Sequence, residues 1–309
     1  MITELSQEAS EFGRLARRAL EAAGGDELAP AAVAEPQQRA SLVEPALAGL
    51  GAWDLDPRRD DSEAEAAAAL CRSAGYWAVP YPVAERLARP FDVECDGLVV
   101  VDPAAPSAAL AGLDLSWVAV DVDGRRSTAT PRRTAMKPRQ DAFVVALDLE
   151  PRDDAGAIDV SLGLVLPCWT LLGLLDRAME LTRRYILERE QFGQPLATFQ
   201  GVQFQLTDAE VERVGLEELA KYALWSIETR RPEALADALA LRAAALEAAD
   251  VVFRVAHQLH GAIGFCDETT LSWVSRISVP IRRLPFGLSA TRAQLVGHVA
   301  GRGLTGLWS

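Results

Sequence analysis

REQFGQPLATFQ, residues 189–200, breaks two long Ala/Leu-rich helical stretches with a Phe-Gly-Gln-Pro turn. A helix carrying Arg183, Arg184 and Arg189 is expected to run to Gly193 and stop, and another to start almost at once beyond it. Within one turn of that stop lie an arginine, a phenylalanine and a chain-reversing glycine. An arginine fork there can pair with phosphate, and a neighbouring phenylalanine can lie on a purine face. On spacing alone a second reading stands beside it: an arginine that favours the helix C-terminal dipole and a phenylalanine that makes a simple C-terminal contact.

Working outward, the chain has 309 residues, half of them hydrophobic, enough to bury a large core. Its formal net charge of -13 argues against general affinity for nucleic acid or an anionic membrane. Cys71, Cys95, Cys168 and Cys266 are scattered without a CxxC pair, and MITELSQEAS lacks a signal-peptide layout, so the expectation is a cytoplasmic protein with buried thiols. Residues 155–175 are apolar enough to scan as a membrane span. They contain Asp159 and Pro167 and continue into a helical stripe, which reads as a buried helix of a soluble bundle.

The chain divides into three parts. Residues 1–90 read as a small helical domain, with Thr3 as the first N-cap and GGDELAPAAVAEPQQ as a loop. Residues 91–150 carry GLVVVD, SWVAVDV and AFVVALDL, β-branched runs that predict a reduced β domain. Residues 151–309 predict long helices, roughly 160–190, 197–229, 232–259, 271–278 and 288–300, in a four-helix bundle. The fold class is α+β and mainly α: an N-terminal helical domain, a reduced β-sheet middle domain and a C-terminal bundle.

HQLHGAIGF, residues 257–265, is the second candidate. His257 and His260 stand one turn apart, but no acid or thiol follows at ligand spacing, so no metal is expected. Gln258 and the GAIG turn instead let a backbone or a phosphate group approach. IRRLP at 281–285 is a short basic patch, read as solvated surface with a phosphate of CoA or FAD as the other reading.

Together, RRYILEREQFGQPLATFQGVQFQLTDAEVE and QLHGAIGF resemble the C-terminal bundle of the acyl-CoA dehydrogenase family over residues 160–300. The resemblance implies that Arg189, Gln191, Phe192, Leu196, Phe199 and Gln258 face the ADP half of an FAD shared with a neighbouring subunit, with Ala262 where the family commonly has glycine. The helix would then stop at Gly193 because it has reached the partner's cofactor. Segments resembling TEPxxGSD and ITN, which flavin-holding members carry, are missing between residues 91 and 151.

The family's catalytic glutamate has two positions, since α-proton abstraction beside a thioester needs an aimed carboxylate. This chain has Leu284, Pro285 and Phe286 at one and Gly163 at the other, so no catalytic residue is assigned. Asp159, Asp267 and Glu268 read more simply as helix-start acids than as substitutes. The resemblance therefore points to the smaller subunit of heteromeric α2β2 acyl-CoA dehydrogenases of bacterial steroid catabolism. Its implied partners are a larger subunit bearing the glutamate, an acyl-CoA, steroid-derived by resemblance, and an electron-transfer acceptor. The alternatives are a flavin-free scaffold or acyl-CoA-binding protein of the same fold, and a self-sufficient enzyme using a base such as Asp159.

Overall fold

The computed structural model describes residues 4–132 and 142–302. Five helices come first: α1 (Gln7–Ala22), α2 (Leu28–Ala34), α3 (Arg39–Gly49), α4 (Asp61–Tyr76) and α5 (Val83–Leu87). The expected cap Thr3 lies outside the described residues; Ser6 caps α1, its Oγ accepting from the Ala9 N–H at 3.2 Å. Asp60 caps α4 in the same way through the Glu63 N–H at 3.0 Å.

The expected loop at 24–38 is instead mostly helical, with α2 between two 3-10 turns. Pro30 sits in the first turn of α2, where its missing N–H has no intrahelical acceptor to lose. Leu28, Ala29 and Ala32 are buried, so packing outweighs the loop-like composition.

The sheet follows, with β1 (Gly97–Val100), β2 (Ser107–Ala108), β3 (Trp117–Val120), β4 (Arg125–Pro131) and β5 (Val145–Ala155) in the order β1-β3-β4-β5-β2. β1 runs parallel to β3 in the register Gly97↔Trp117, and the other pairs are antiparallel. β1 and β3 are buried at every position, which matches their unbroken apolar runs.

The rest is helical: α6 (Ala157–Glu188), α7 (Gln200–Glu228), α8 (Ala234–His260), α9 (Thr270–Arg283) and α10 (Leu288–Arg302). α6 is the central helix, with α4, α7, α8 and α9 packed around it, while α10 lies along α8. By length and composition α6 could cross a membrane; here its apolar residues, Leu162, Leu166, Trp169 and Leu172 among them, are covered by the neighbouring helices.

Two glycines set the closest crossing. A Cβ on Gly75 of α4 would stand 1.9 Å from the Thr170 carbonyl oxygen, and one on Gly173 of α6 would stand 1.9 Å from that of Arg72. Beside this contact Arg72 binds Asp176 at 2.7 Å and Glu217 at 2.9 Å, tying α4, α6 and α7 together. The N-terminal helices and the bundle consequently share one hydrophobic core, with a smaller cluster of Val99, Val101, Leu110, Trp117, Phe143 and Leu147 at the sheet.

Candidate functional site

The 189–200 segment is a hairpin at the end of α6. Arg189 is extended; its N–H donates to Tyr185 O, and its carbonyl accepts from the Leu196 N–H, both at 2.8 Å. Strand β6 (Glu190–Gln191) pairs with β7 (Gln194–Pro195) around Phe192 and Gly193, whose φ angles are 52° and 77°. Two successive left-handed residues make the tight turn that suits a right-twisted hairpin. The helix thus ends at Glu188 rather than Gly193, because residues 190 and 191 pair across the hairpin instead of winding on towards Pro195.

Gly193 adopts its φ without cost, whereas Phe192 is held in a conformation that non-glycine residues rarely take. Its ring is 92% exposed, resting edge-on against Phe199 with centroids 6.2 Å apart. Arg189 and Gln191 are exposed, Leu196 and Phe199 half-buried, and no ion pair holds the Arg189 guanidinium among the described residues.

The second motif ends α8 at the same end of the bundle. His260 stacks on Tyr185 at 4.4 Å, bringing the last turns of α6 and α8 side by side. His257 stacks on Phe265 at 4.2 Å, and His260 Nδ1 lies 2.8 Å from Ala256 O, so both rings serve packing. Burial lowers the pKa of each; for His257 the neighbouring His260 and Arg282 add to it. Gly261 ends the helix at φ 66°, ψ -148°, a region essentially reserved for glycine, and an added Cβ would point into open space. Gln258 and Ala262 are exposed nearby.

Gln258, Gly261, Arg254, His257, Phe265 and Arg282 line an open groove of about 510 Å³. The basic patch therefore divides: Arg282 turns into this groove, its Nε 3.0 Å from Ser278 Oγ and its guanidinium over the Phe253 ring, while Arg283 is exposed. Arg254 lies outside both motifs read from the sequence. The helical spacing of 254, 258 and 261 held the only hint of it.

Both positions expected for a catalytic glutamate reach a second, smaller space between α5, the sheet and the bundle. Gly163, Leu284 and Pro285 line this cavity, whose volume is about 100 Å³. A Cβ on Gly163 would stand 2.6 Å from Val100 Cγ2, so β1 closes the room a longer side chain would need. Pro167, four residues on, also lines it.

The acids weighed as substitutes lie elsewhere. Asp159 is wholly buried between Arg126 at 2.8 Å and Arg58 at 2.9 Å, a junction of loop, sheet and helix start. Asp267 pairs with Arg276, and Glu268 is exposed.

The carboxylate on the cavity wall is Glu85, which the sequence reading missed inside PVAERLARP. Burial pushes its pKa up, against the smaller pull of Arg39. Arg39 is itself lowered to about 9 by burial and donates to the carbonyls of Pro80, Ala109 and Ala111. Arg242, on the opposite wall, donates to Ile281 O, Leu284 O and Phe286 O and so fixes the 281–286 segment.

Residues 165–297 match the family model of the acyl-CoA dehydrogenase C-terminal domain. Through that stretch, less than half of its length, the chain is similar to the acyl-CoA dehydrogenase family. Among curated relatives, 3-sulfinopropanoyl-CoA desulfinase of Paraburkholderia xenovorans is 31% identical over 136 residues, 43% of this chain and 34% of that protein. The matched stretch thus spans about a third of that relative's length.

The fold extends over nearly the whole chain. The ChsE4-ChsE5 complex from Mycobacterium tuberculosis aligns with a TM-score of 0.75 at 14% identity, covering 99% of this chain and 100% of that one. A variant of the Tcur3481-Tcur3483 steroid acyl-CoA dehydrogenase gives 0.74 at 20% identity, covering 96% and 99%.

Family members use FAD, and the two spaces fit its halves differently. The hairpin and groove present an exposed aromatic ring, guanidinium groups and an open glycine, a donor set suited to adenine and diphosphate. The smaller cavity does not fit the rest: about 100 Å³ is well below the roughly 300–1,000 Å³ of ordinary ligand pockets.

Proposed function

We propose that this chain is the smaller subunit of a heteromeric FAD-dependent acyl-CoA dehydrogenase, the complex catalysing α,β-dehydrogenation of a CoA thioester. The carrying observation is the contrast between an exposed ADP-side surface at Arg189, Phe192 and Gln258 and a small cavity, about 100 Å³, without room for a glutamate side chain at Gly163, one of the two places where the base would stand. In this reading the chain supplies the cross-interface half of the FAD site, and a larger partner supplies the catalytic glutamate and the acyl pocket. Bound FAD would supply the hydride acceptor. This chain's own residues bind and orient: Arg189 meets phosphate, Phe192 covers a purine face, and Gln258 with the Gly261 turn offers hydrogen-bond donors. Electrons would pass on to an electron-transfer acceptor, in the cytoplasm.

The α7 surface supports pairing. Gly201, Phe204, Val211 and Gly215 fall on one stripe, with Phe204 and Val211 more than half exposed and nothing within 4 Å of either glycine's Cβ position. An apolar stripe of this kind, continuous in sequence with the hairpin, suits burial against another subunit. Similarity to two-chain complexes, one of them a steroid acyl-CoA dehydrogenase, supports a heteromeric partner and favours steroid-derived thioesters as substrates.

The test is turnover by the assembled pair. Co-expression with a glutamate-bearing relative should give acyl-CoA dehydrogenation that disappears when the partner's glutamate becomes glutamine. Turnover by this chain alone would overturn the assignment.

A further inference from the structure

Two buried arginines face the small cavity, Arg39 from α3 and Arg242 from α8. Each is 2% exposed, and neither forms an ion pair with any described residue. Their donors meet neutral oxygens instead: Arg39 reaches Pro80 O at 2.7 Å and Ala109 O at 3.1 Å, and Arg242 reaches Leu284 O at 2.5 Å and Phe286 O at 2.8 Å. Arg242 Nε is left over, a buried nitrogen with no hydrogen-bond partner among the described residues. Glu85 is the one acid among the described lining residues, and its charge acts on Arg39; none of the described acids stands beside Arg242. A guanidinium held out of water with no opposite charge is costly, and an unused donor adds to that cost. The wall is otherwise mainly apolar, with Val99, Val100, Pro167 and Ile277. Apolar walls around a charged group with an unused donor suit a small amphiphilic ion.

We propose that this cavity binds a short free carboxylate, the size of acetate or propionate, with its oxygens at Arg242 and its carbons against the apolar wall. The Nε–H of Arg242 donates to the ligand in a charge-assisted hydrogen bond, and the ligand's charge offsets that of the guanidinium. Volume sets the size: a cavity of about 150 Å³ admits benzene, so this one, of about 100 Å³, admits roughly four or five non-hydrogen atoms. Neither a flavin nor coenzyme A fits that limit, so the inference goes beyond the subunit reading and does not rest on it.

The experiment is thermal unfolding of the full chain in acetate, propionate, pivalate or acetamide, with ionic strength held constant by sodium chloride. A ligand of about four atoms can reach a Kd of roughly 1 mM, so acetate at about 100 mM should raise Tm by roughly 5 °C, saturably. Propionate should act likewise. Pivalate, whose branched carbons exceed the volume, and acetamide, which has the shape of acetate without its charge, should leave Tm unchanged. Arg242→Lys keeps the charge but lacks the leftover donor, and should raise the midpoint acetate concentration by about tenfold. That variant also gives up contacts to the 284 and 286 carbonyls; should it fail to fold, the ligand series on the unaltered chain decides alone.

No rise in Tm with acetate, or an equal rise with acetamide or pivalate, overturns the site. So does an acetate midpoint that is the same in Arg242→Lys as in the wild-type chain.

Discussion

Replacing Gly173 by alanine puts a methyl group where the structure has 1.9 Å to spare before the Arg72 carbonyl oxygen, with Arg72 C and Tyr76 N each at 2.8 Å. Ordinary carbon–oxygen contact begins near 3.3 Å, so α4 and α6 must part by roughly 1.4 Å. The obstacle is helix backbone, which cannot swing aside as a side chain can. Parting the helices also strains the Arg72–Asp176 contact at 2.7 Å and loosens the surrounding apolar packing.

Overpacking typically costs about 1–3 kcal/mol, and a backbone obstacle places this case at the upper end, about 3 kcal/mol. For a chain of this size that corresponds to a fall in Tm of roughly 5 °C. Gly75→Ala, whose Cβ would meet Thr170 O at the same 1.9 Å, should behave alike. Gly215→Ala, with nothing within 4 Å, is the control, and helix propensity predicts a neutral effect or a gain of up to about 1 kcal/mol. Thermal and urea unfolding of the three variants measures this. A Gly173→Ala protein melting within 1 °C of wild type would refute the close crossing.

Glu228 supplies a pH dependence: burial, then Glu65 and Asp61, raise its pKa from 4.5 to about 8, and its Oε1 is a buried oxygen without a partner. A raised folded-state pKa means that the group's contribution to stability is complete below about 4.5 and is lost as pH rises through about 8. Glu228→Gln should thus match wild type at pH 5 and exceed it at pH 9 by on the order of 1–2 kcal/mol after allowance for solvent screening; an equal difference at both pH values would count against it. Glu85→Gln should leave turnover of the assembled complex within about twofold, because aimed acid–base groups contribute about a hundredfold or more; a hundredfold loss would make Glu85 the base. Phe192→Ala should leave the lone chain's Tm within 1 °C, since the ring is 92% exposed, while flavin retention by the pair falls about tenfold; unchanged retention would remove Phe192 from the site.

The long helices and the sheet were legible in the sequence because their signal is local and periodic. Helix α2 was not, since Pro30 and the glycines mimic a loop and only burial of Leu28 and Ala32 shows why the segment winds. At the site, Arg189, Phe192 and Gln258 stood out because their motifs are contiguous. Their hairpin geometry did not, because a left-handed Phe192 departs from local preference. Glu85 escaped notice for a different reason: it reaches its cavity only when segments far apart in sequence pack together. The same holds for Asp159, whose character is set by Arg58 and Arg126, 101 and 33 residues away.

The most direct measurement of the central claim is solution mass and flavin content of the chain alone and after co-expression with a glutamate-bearing relative. The account predicts a colourless lone chain and a yellow heteromer that contains both polypeptides. A yellow, active lone chain, or a pair that never assembles and never takes up flavin, would contradict it.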